Sequence, residues 1–174
     1  MYKIKIAPQE AFKTKIHKDD WKDFNDNYRS FENIIAVNQV SAKGVRAVFF
    51  GEGVGSTLNL GRKIWTNDHE NVQYIPIAHN AYMTVFLKSG LFGVLFLLFF
   101  LIILYRQRKS EIESVQAINY LLIGTSVFLI VSNWVFLGLY LKLDNKSIII
   151  GFLIALREVI IKEHISQKRI ENEH

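Results

Sequence analysis

Residues 75–104 read IPIAHNAYMTVFLKSGLFGVLFLLFFLIIL, and the rest of the chain can be interpreted relative to this stretch. It begins with a proline and the polar pair His79 and Asn80. From residue 91 to residue 104 it carries no charge, and a helix over those residues would extend about 21 Å. With the apolar residues that precede them it reaches the thickness of a bilayer, and the intervening lysine can extend toward the headgroups. The pattern therefore predicts a transmembrane helix over residues 79–105, with the imidazole of His79 at its mouth.

Two further apolar blocks follow this stretch. The block at 117–141 carries no charge over 25 positions and predicts a second transmembrane helix. Its polar residues Asn119, Ser132 and Asn133 should face protein rather than lipid. The block at 148–161 is short and is interrupted by an arginine and a glutamate, so it predicts a short transmembrane or partial helix. We expect an all-α integral membrane chain with two to three transmembrane helices in its C-terminal half.

Composition supports a membrane protein and excludes several kinds of site. Half of the 174 residues are hydrophobic and thirteen are phenylalanine, with the apolar residues concentrated in blocks after residue 81. No cysteine is present, which excludes disulfides, zinc–thiolate sites and thiol nucleophiles. The net charge of +5 is modest and forms no basic stripe with aromatic platforms, so no nucleic-acid partner is expected.

The segment 1–78 is expected to be mostly helical and extracytoplasmic. Residues 27–40, NYRSFENIIAVNQV, place apolar side chains at three- and four-residue spacing, which predicts a helix with Asn27 or Asp26 as its cap. Residues 44–61 combine a short apolar run with a glycine-rich turn. That turn lacks the spacing of the dinucleotide fingerprint and of the P-loop, and a structural turn is its simplest interpretation.

A polar loop is expected at residues 66–73, TNDHENVQ. His69 lies there among acidic residues, without a second histidine or a carboxylate pattern that would support a metal site. We interpret it as a solvated side chain, and no metal ligand is expected in this chain.

The charges that flank the apolar blocks predict the topology. Three positive charges fall within four residues at the start of the linker 106–116, and the tail 162–174 is also basic, so both are placed in the cytoplasm. The short loop 142–147 and the segment 1–78 then lie outside. A polar segment of that length cannot cross a bilayer unaided. We therefore expect either an inverted topology or a further membrane part upstream, and we favour a chain that is part of a longer protein.

Four features now occur in order along the chain. They are NYRSFE at 27–32, FFGEGVGSTLNLG at 49–61, IPIAHNAYMTVFLKSGLFG at 75–93, and hydrophobic spans to the end. This order resembles the C-terminal part of the O-antigen ligase and O-antigen polymerase (Wzy-like) superfamily of membrane glycosyltransferases. The resemblance covers about residues 27–160, and it departs from the family pattern in having far fewer spans.

The resemblance implies a chemistry and a set of site residues. A glycan would pass from undecaprenyl diphosphate to a hydroxyl of lipid A core, a growing glycan or a protein, at the bacterial inner membrane and in contact with its lipid. His79 would act as general base or orienting acceptor, and Arg29, assisted by Arg46 or Arg62, would neutralise the diphosphate. Glu32 would orient Arg29 or bind acceptor sugar. No metal or cofactor is needed. The substrate-binding residues implied are Arg46, Gly51, Gly53, Gly55, Asn80, Tyr82 and Lys88.

Each of these features also has a purely structural interpretation. Arg29 and Glu32 can be a surface ion pair on one helix face, and the glycines can serve a turn. His79 and Asn80 can be an interfacial helix cap, with Asn80 at the N-cap position. In the functional interpretation, Tyr82, three residues beyond His79, is expected on the same helix face and would support it or stack on sugar. The alternative function is a non-catalytic membrane fragment or small membrane interaction protein, and a weaker alternative is part of a flippase or another transporter.

Overall fold

The computed structural model describes residues 26–65, 71–135 and 145–172. The chain is mostly helical, as the sequence predicts, and the described residues also form one two-stranded sheet. Two compact units can be distinguished among the described residues, one comprising those up to Leu97 with residues 133–135, and the other the remainder. The elements in chain order are α1 (Tyr28–Ala42), α2 (Val45–Phe50), β1 (Leu58–Trp65), β2 (Asn71–Ile75), α3 (Ala81–Tyr105), α4 (Glu113–Val135) and α5 (Lys146–Asn172).

Helix α1 confirms the helix predicted from the apolar spacing of residues 27–40. Phe31, Ala36 and Val40 are almost completely buried, and they form the core of the first unit with Leu58 of β1 and Leu87 of α3. The predicted cap is wrong in one respect, because Asn27 occupies the N-cap position without a side-chain capping hydrogen bond. Burial of this apolar stripe, rather than capping, is therefore what fixes α1 in place.

Strands β1 and β2 correct the expectation of an all-α chain. They pair antiparallel, with Leu58 opposite Ile75 and Trp65 opposite Asn71. The helical interpretation overlooked an alternating pattern in LNLGRKIW. The first and third residues of β1 are buried and their neighbours are not, as in a strand with one buried face. The polar loop expected at 66–73 is shorter than predicted, since β2 begins at Asn71; residues 66–70, with His69, lie outside the described residues.

Helix α3 begins at Ala81, so His79 and Asn80 precede the helix rather than form its first turn. The helix is interrupted at Gly90, whose φ of 65° and ψ of −160° are not helical. The nine residues before this kink pack in the first unit, where Leu87 is buried, whereas many side chains beyond it, such as Phe96, are exposed. The two halves of this apolar segment thus have different surroundings: one belongs to a protein core, and the other presents an apolar surface.

Two helices of the described residues, α3 and α4, are long and apolar enough to cross a membrane. Helix α4 begins at Glu113 and is described to Val135, and residues 136–144 lie outside the described residues. The polar residues Asn119, Ser132 and Asn133 of α4 are all buried, which confirms that they face protein. In the second unit the hydroxyl of Ser126 donates to the carbonyl oxygen of Leu101 at 2.7 Å, a bond that joins α4 to the second half of α3.

Helix α5 is continuous from Lys146 to Asn172. The short block 148–161 therefore extends without a break into the basic segment that was expected to be a separate tail. Helix α5 is not among the helices that meet the length and apolarity required for a membrane span. Arg157 of α5 donates to the carboxylate of Glu158 and to the side-chain oxygen of Gln107. The two charged side chains of this block are therefore paired with each other.

Candidate functional site

The carboxylate of Glu32 and the imidazole of His79 form the centre of the candidate site. The Nδ1 atom of His79 lies 3.0 Å from each carboxylate oxygen of Glu32. The backbone N–H of His79 also donates to Oε2 of Glu32 at 2.8 Å. The Glu32 side chain is 1% exposed and that of His79 is 56% exposed. A buried acceptor thus holds an imidazole that solvent can reach.

This arrangement fixes the orientation of the imidazole. A carboxylate that accepts a hydrogen bond from Nδ1–H selects the tautomer in which Nε2 is the basic nitrogen, and it stabilises the ring when that nitrogen takes up a proton. The backbone contact at the same carboxylate prevents His79 from moving away from Glu32. The pair therefore has the geometry required of an oriented general base.

Tyr28 adds a third group to this centre. Its ring lies edge-on to the imidazole of His79, with 5.8 Å between ring centroids, and its hydroxyl donates to the carboxylate of Glu32. Burial raises the pKa of the Tyr28 hydroxyl well above its ordinary value, the negative charge of Glu32 raises that pKa further, and Arg62 opposes the shift. Tyr28 is therefore a neutral donor at physiological pH, and a positive charge lies close enough to act on it.

The turn before α3 is held by its own side chains. Asn80 is the N-cap, since its carbonyl oxygen accepts from Thr84 N–H at 3.0 Å and its Oδ1 accepts from Met83 N–H at 3.3 Å. The hydroxyl of Thr84 accepts from the N–H of Ala78 at 3.0 Å and is buried. The residues on both sides of His79 are thereby anchored to the first turn of the helix, and the imidazole is presented from a rigid turn. Asn80 thus has the structural role that the sequence offered as an alternative.

The glycine-rich loop and the kink in α3 are complementary. A non-helical Gly90 leaves the carbonyl oxygens of Leu87 and Lys88 without the donors that a regular helix would supply. The backbone N–H of Glu52 donates to the first of these carbonyls at 2.8 Å, and that of Gly53 donates to the second at 3.0 Å. The loop therefore replaces the hydrogen bonds that the kink removes.

Two glycines make this close approach possible. A Cβ on Gly51 would lie 2.3 to 2.5 Å from backbone atoms of Lys88 and Ser89, and one on Gly90 would lie 2.4 to 2.5 Å from backbone atoms of Phe49 and Phe50. Both glycines also have positive φ, at 74° and 65°. Both positions therefore require glycine, because the backbone of the opposite segment occupies the place where a Cβ would lie.

The ammonium group of Lys88 completes the contact between loop and helix. Its Nζ donates to the carbonyl oxygens of Val54 at 2.7 Å and of Ser56 at 3.0 Å. The lysine was expected to bind substrate; in the structure its ammonium group holds the glycine loop against α3. Gly55, the last glycine of the motif, has open space around it.

The remaining predicted site residues are distributed around this scaffold. Arg29 follows Tyr28 on α1 and is half-buried, whereas Arg46 is exposed on α2. The ring of Tyr82 lies against Trp134, with 6.3 Å between centroids, in the first unit. This contact of Tyr82 with Trp134 anchors the start of α3, a role that the spacing to His79 did not indicate.

Sequence reasoning placed Glu32 beside Arg29 and did not pair it with His79. It also did not identify Tyr28 as part of the site, although this residue lies one helical turn before Glu32. The periodicity of α1 could have shown that the two share a face. In the described residues no group of three or more His, Asp or Glu side chains is placed to hold a metal ion.

No protein-family model, curated protein or solved structure matches this chain.

Proposed function

We propose that this chain is part of a bacterial inner-membrane glycosyltransferase that polymerises or ligates a glycan carried on undecaprenyl diphosphate. The observation that carries the proposal is the pair formed by buried Glu32 and exposed His79 immediately before an apolar helix. A base in that position is available to a hydroxyl acceptor at the surface of a membrane, where the diphosphate of a lipid carrier lies. The order of the sequence motifs, which resembles that of the O-antigen ligase and polymerase superfamily, supports the choice of this chemistry.

In the proposed reaction, the acceptor hydroxyl attacks the anomeric carbon of the lipid-linked sugar. A new carbon–oxygen bond forms, and the proton of the hydroxyl passes to Nε2 of His79. Glu32 stabilises the resulting imidazolium through Nδ1–H. The bond between the anomeric carbon and the diphosphate oxygen breaks, and its electron pair leaves with undecaprenyl diphosphate.

The leaving group requires neutralisation of negative charge rather than a proton. The positive charge of Arg62 lowers the pKa of the Tyr28 hydroxyl, and Tyr28 itself contacts both Glu32 and His79. Arg29 belongs to the same first turn of α1 as Tyr28. A planar guanidinium group is suited to two phosphate oxygens at once. We propose these two arginines as the groups that receive the diphosphate.

The proposal places α3 and α4 in the bilayer and the elements before them outside the cytoplasm. The exposed apolar side chains beyond Gly90 are the support for this placement, because they would otherwise present a large apolar surface to water. The basic residues after α3 support the orientation, with the segment from Arg106 to Lys109 in the cytoplasm. The Glu32–His79 pair then faces the side on which lipid-linked glycans are assembled.

The test uses the complete protein in its host, with His79→Ala, Glu32→Gln and Arg29→Ala variants. His164→Ala on α5 is a matched control, since it removes a histidine remote in sequence from the pair. We expect loss of polymerised or ligated surface glycan in His79→Ala and a decrease of about 10²-fold or more in Glu32→Gln. Glycan is measured on gels, and the amount of protein in the membrane is measured by immunoblot. Normal glycan length and amount in the His79→Ala and Arg29→Ala variants would overturn the proposal.

A non-catalytic membrane protein is the second candidate. It is favoured by one observation, that Asn80 and the glycines of the two motifs all have structural uses. On this alternative the pair of Glu32 and His79 would only join α1 to the start of α3. The two candidates differ in the same experiment, because a structural pair would lower the amount of protein in the membrane, whereas a catalytic pair would lower only the product.

A further inference from the structure

A pocket of about 810 Å³ lies in the first unit, between α1, the glycine loop and the two strands. Its size falls within the range typical of small-molecule sites. Most of the residues that line it have polar, uncharged side chains, namely amides from α1 and β1, hydroxyl groups from the loop, and Tyr74, although apolar atoms form the larger part of the exposed lining surface. No residue of the Glu32–His79 pair lines it, so it is separate from the site described above.

The walls of the pocket are fixed before any ligand enters. The carboxamide nitrogen of Gln39 donates to both carboxylate oxygens of Glu52, at 3.2 and 3.1 Å, and to the carbonyl oxygen of Thr57 at 3.0 Å. Its oxygen accepts from the N–H of Asn59 at 2.9 Å. One side chain thus joins the helix, the loop and the first strand. A ligand would lose little binding energy to ordering of the pocket.

The two charges in the lining neutralise each other. Lys43 donates to Glu52 at 2.6 Å, and the Glu52 side chain is only 4% exposed. The pocket therefore offers no unpaired positive charge to a phosphate and no unpaired carboxylate to a cation. A ligand that is uncharged and rich in hydroxyl groups is therefore compatible with the paired charges and polar side chains of the lining.

The side chain of Tyr74 is available to such a ligand. Tyr74 is 54% exposed, and its ring offers an apolar face to the C–H groups of a sugar together with a hydroxyl at its edge.

The position of the pocket relates it to the proposed site of transfer. Gln39 follows Glu32 by seven residues on α1, two helical turns, so both lie on the same stripe about 10 Å apart. Ile35 lies between them on that stripe and also lines the pocket. An oligosaccharide in the pocket could therefore extend along α1 and bring its end to His79.

We propose that this pocket binds an uncharged oligosaccharide segment of the glycan during transfer. The identity of the ligand rests on the proposed function, whereas the preference for a neutral polyhydroxyl ligand rests on the pocket itself. The charged diphosphate is bound elsewhere, at the arginines near Tyr28. The site thus has a neutral part that recognises sugar and a cationic part that receives the leaving group.

The test is direct binding to the complete protein in nanodiscs. The probe is the neutral oligosaccharide released by mild acid from the host's own undecaprenyl-linked glycan, measured by isothermal titration calorimetry. We expect saturable binding, weakened about tenfold by Tyr74→Ala. Trp65→Ala, which removes an exposed aromatic ring from β1 outside the pocket lining, should bind as the native protein does.

The outcomes separate this proposal from the one on which it rests. Absence of saturable binding, or equal affinity in Tyr74→Ala and Trp65→Ala, would overturn the pocket proposal even if His79→Ala abolishes glycan assembly. Binding that is weakened about tenfold in Tyr74→Ala and unchanged in His79→Ala would support it. That result would stand even if glycan assembly proceeded normally in His79→Ala, in which case the function would be sugar binding rather than transfer.

Discussion

Replacement of Gly51 by alanine tests whether the close backbone contact between the glycine loop and the kinked helix α3 requires glycine at this position. The backbone of Gly51, with φ of 74° and ψ of −172°, lies in a region that is nearly restricted to glycine, so alanine there costs about 1 to 3 kcal/mol in strain. The new Cβ would also lie 2.3 to 2.5 Å from backbone atoms of Lys88 and Ser89. Because these are backbone atoms, they cannot rotate away, and the loop must separate from the helix.

That separation would break the two backbone hydrogen bonds from the loop to the carbonyl oxygens of Leu87 and Lys88. At about 0.5 to 1.5 kcal/mol for each bond, the total loss for Gly51→Ala is about 2 to 6 kcal/mol. Gly55→Ala is the matched control, because that glycine lies in the same motif with open space around it. The control should change the free energy of unfolding by no more than about 0.5 kcal/mol.

The assay is thermal unfolding of the purified complete protein in detergent, with the amount of folded protein in the membrane as a second measurement. We expect Gly51→Ala to unfold at a clearly lower temperature than Gly55→Ala, or to be depleted from the membrane while the control is not. Equal unfolding temperatures and equal abundance for the two variants would refute the argument that the loop and kink interlock.

Three other predictions follow from the described contacts. Lys88→Met should lower the free energy of unfolding by about 1.5 to 3 kcal/mol, since it removes charge-assisted hydrogen bonds to two carbonyls; an unchanged midpoint of detergent unfolding would contradict this. Ser126→Ala should cost about 0.6 kcal/mol, the usual value of a hydrogen bond between membrane helices, whereas Val127→Ala, on an exposed position of α4, serves as the control in the same assay. The raised pKa of Tyr28 means that the folded chain holds this proton more tightly than the unfolded chain does. Stability should therefore fall as pH rises above about 10, and Tyr28→Phe should make that decline shallower in unfolding midpoints measured against pH; parallel curves would count against a buried, Glu32-bound hydroxyl.

The membrane-sized helices and helix α1 could be predicted because their signals are local. An uninterrupted apolar block or a three- and four-residue spacing of apolar side chains is visible within one element. The same reasoning predicted correctly that Asn119, Ser132 and Asn133 face protein, because a polar side chain in an apolar helix requires a partner. The sheet was missed because the glycine and basic residues of β1 obscure the alternation that begins with Leu58 and Leu60.

The sequence by itself determined which segments are apolar, where the chemically active side chains lie along the chain, and that glycines are concentrated at two places. The tertiary structure decided which of these meet. Glu32 and His79 are 47 positions apart, and their pairing depends on α1 packing beside the start of α3. The need for glycine in the two motifs is evident only once the loop contacts the kink, since the absence of a Cβ matters only where another backbone occupies its place. Local periodicity encodes each element, whereas a contact between distant residues depends on the packing of the whole unit.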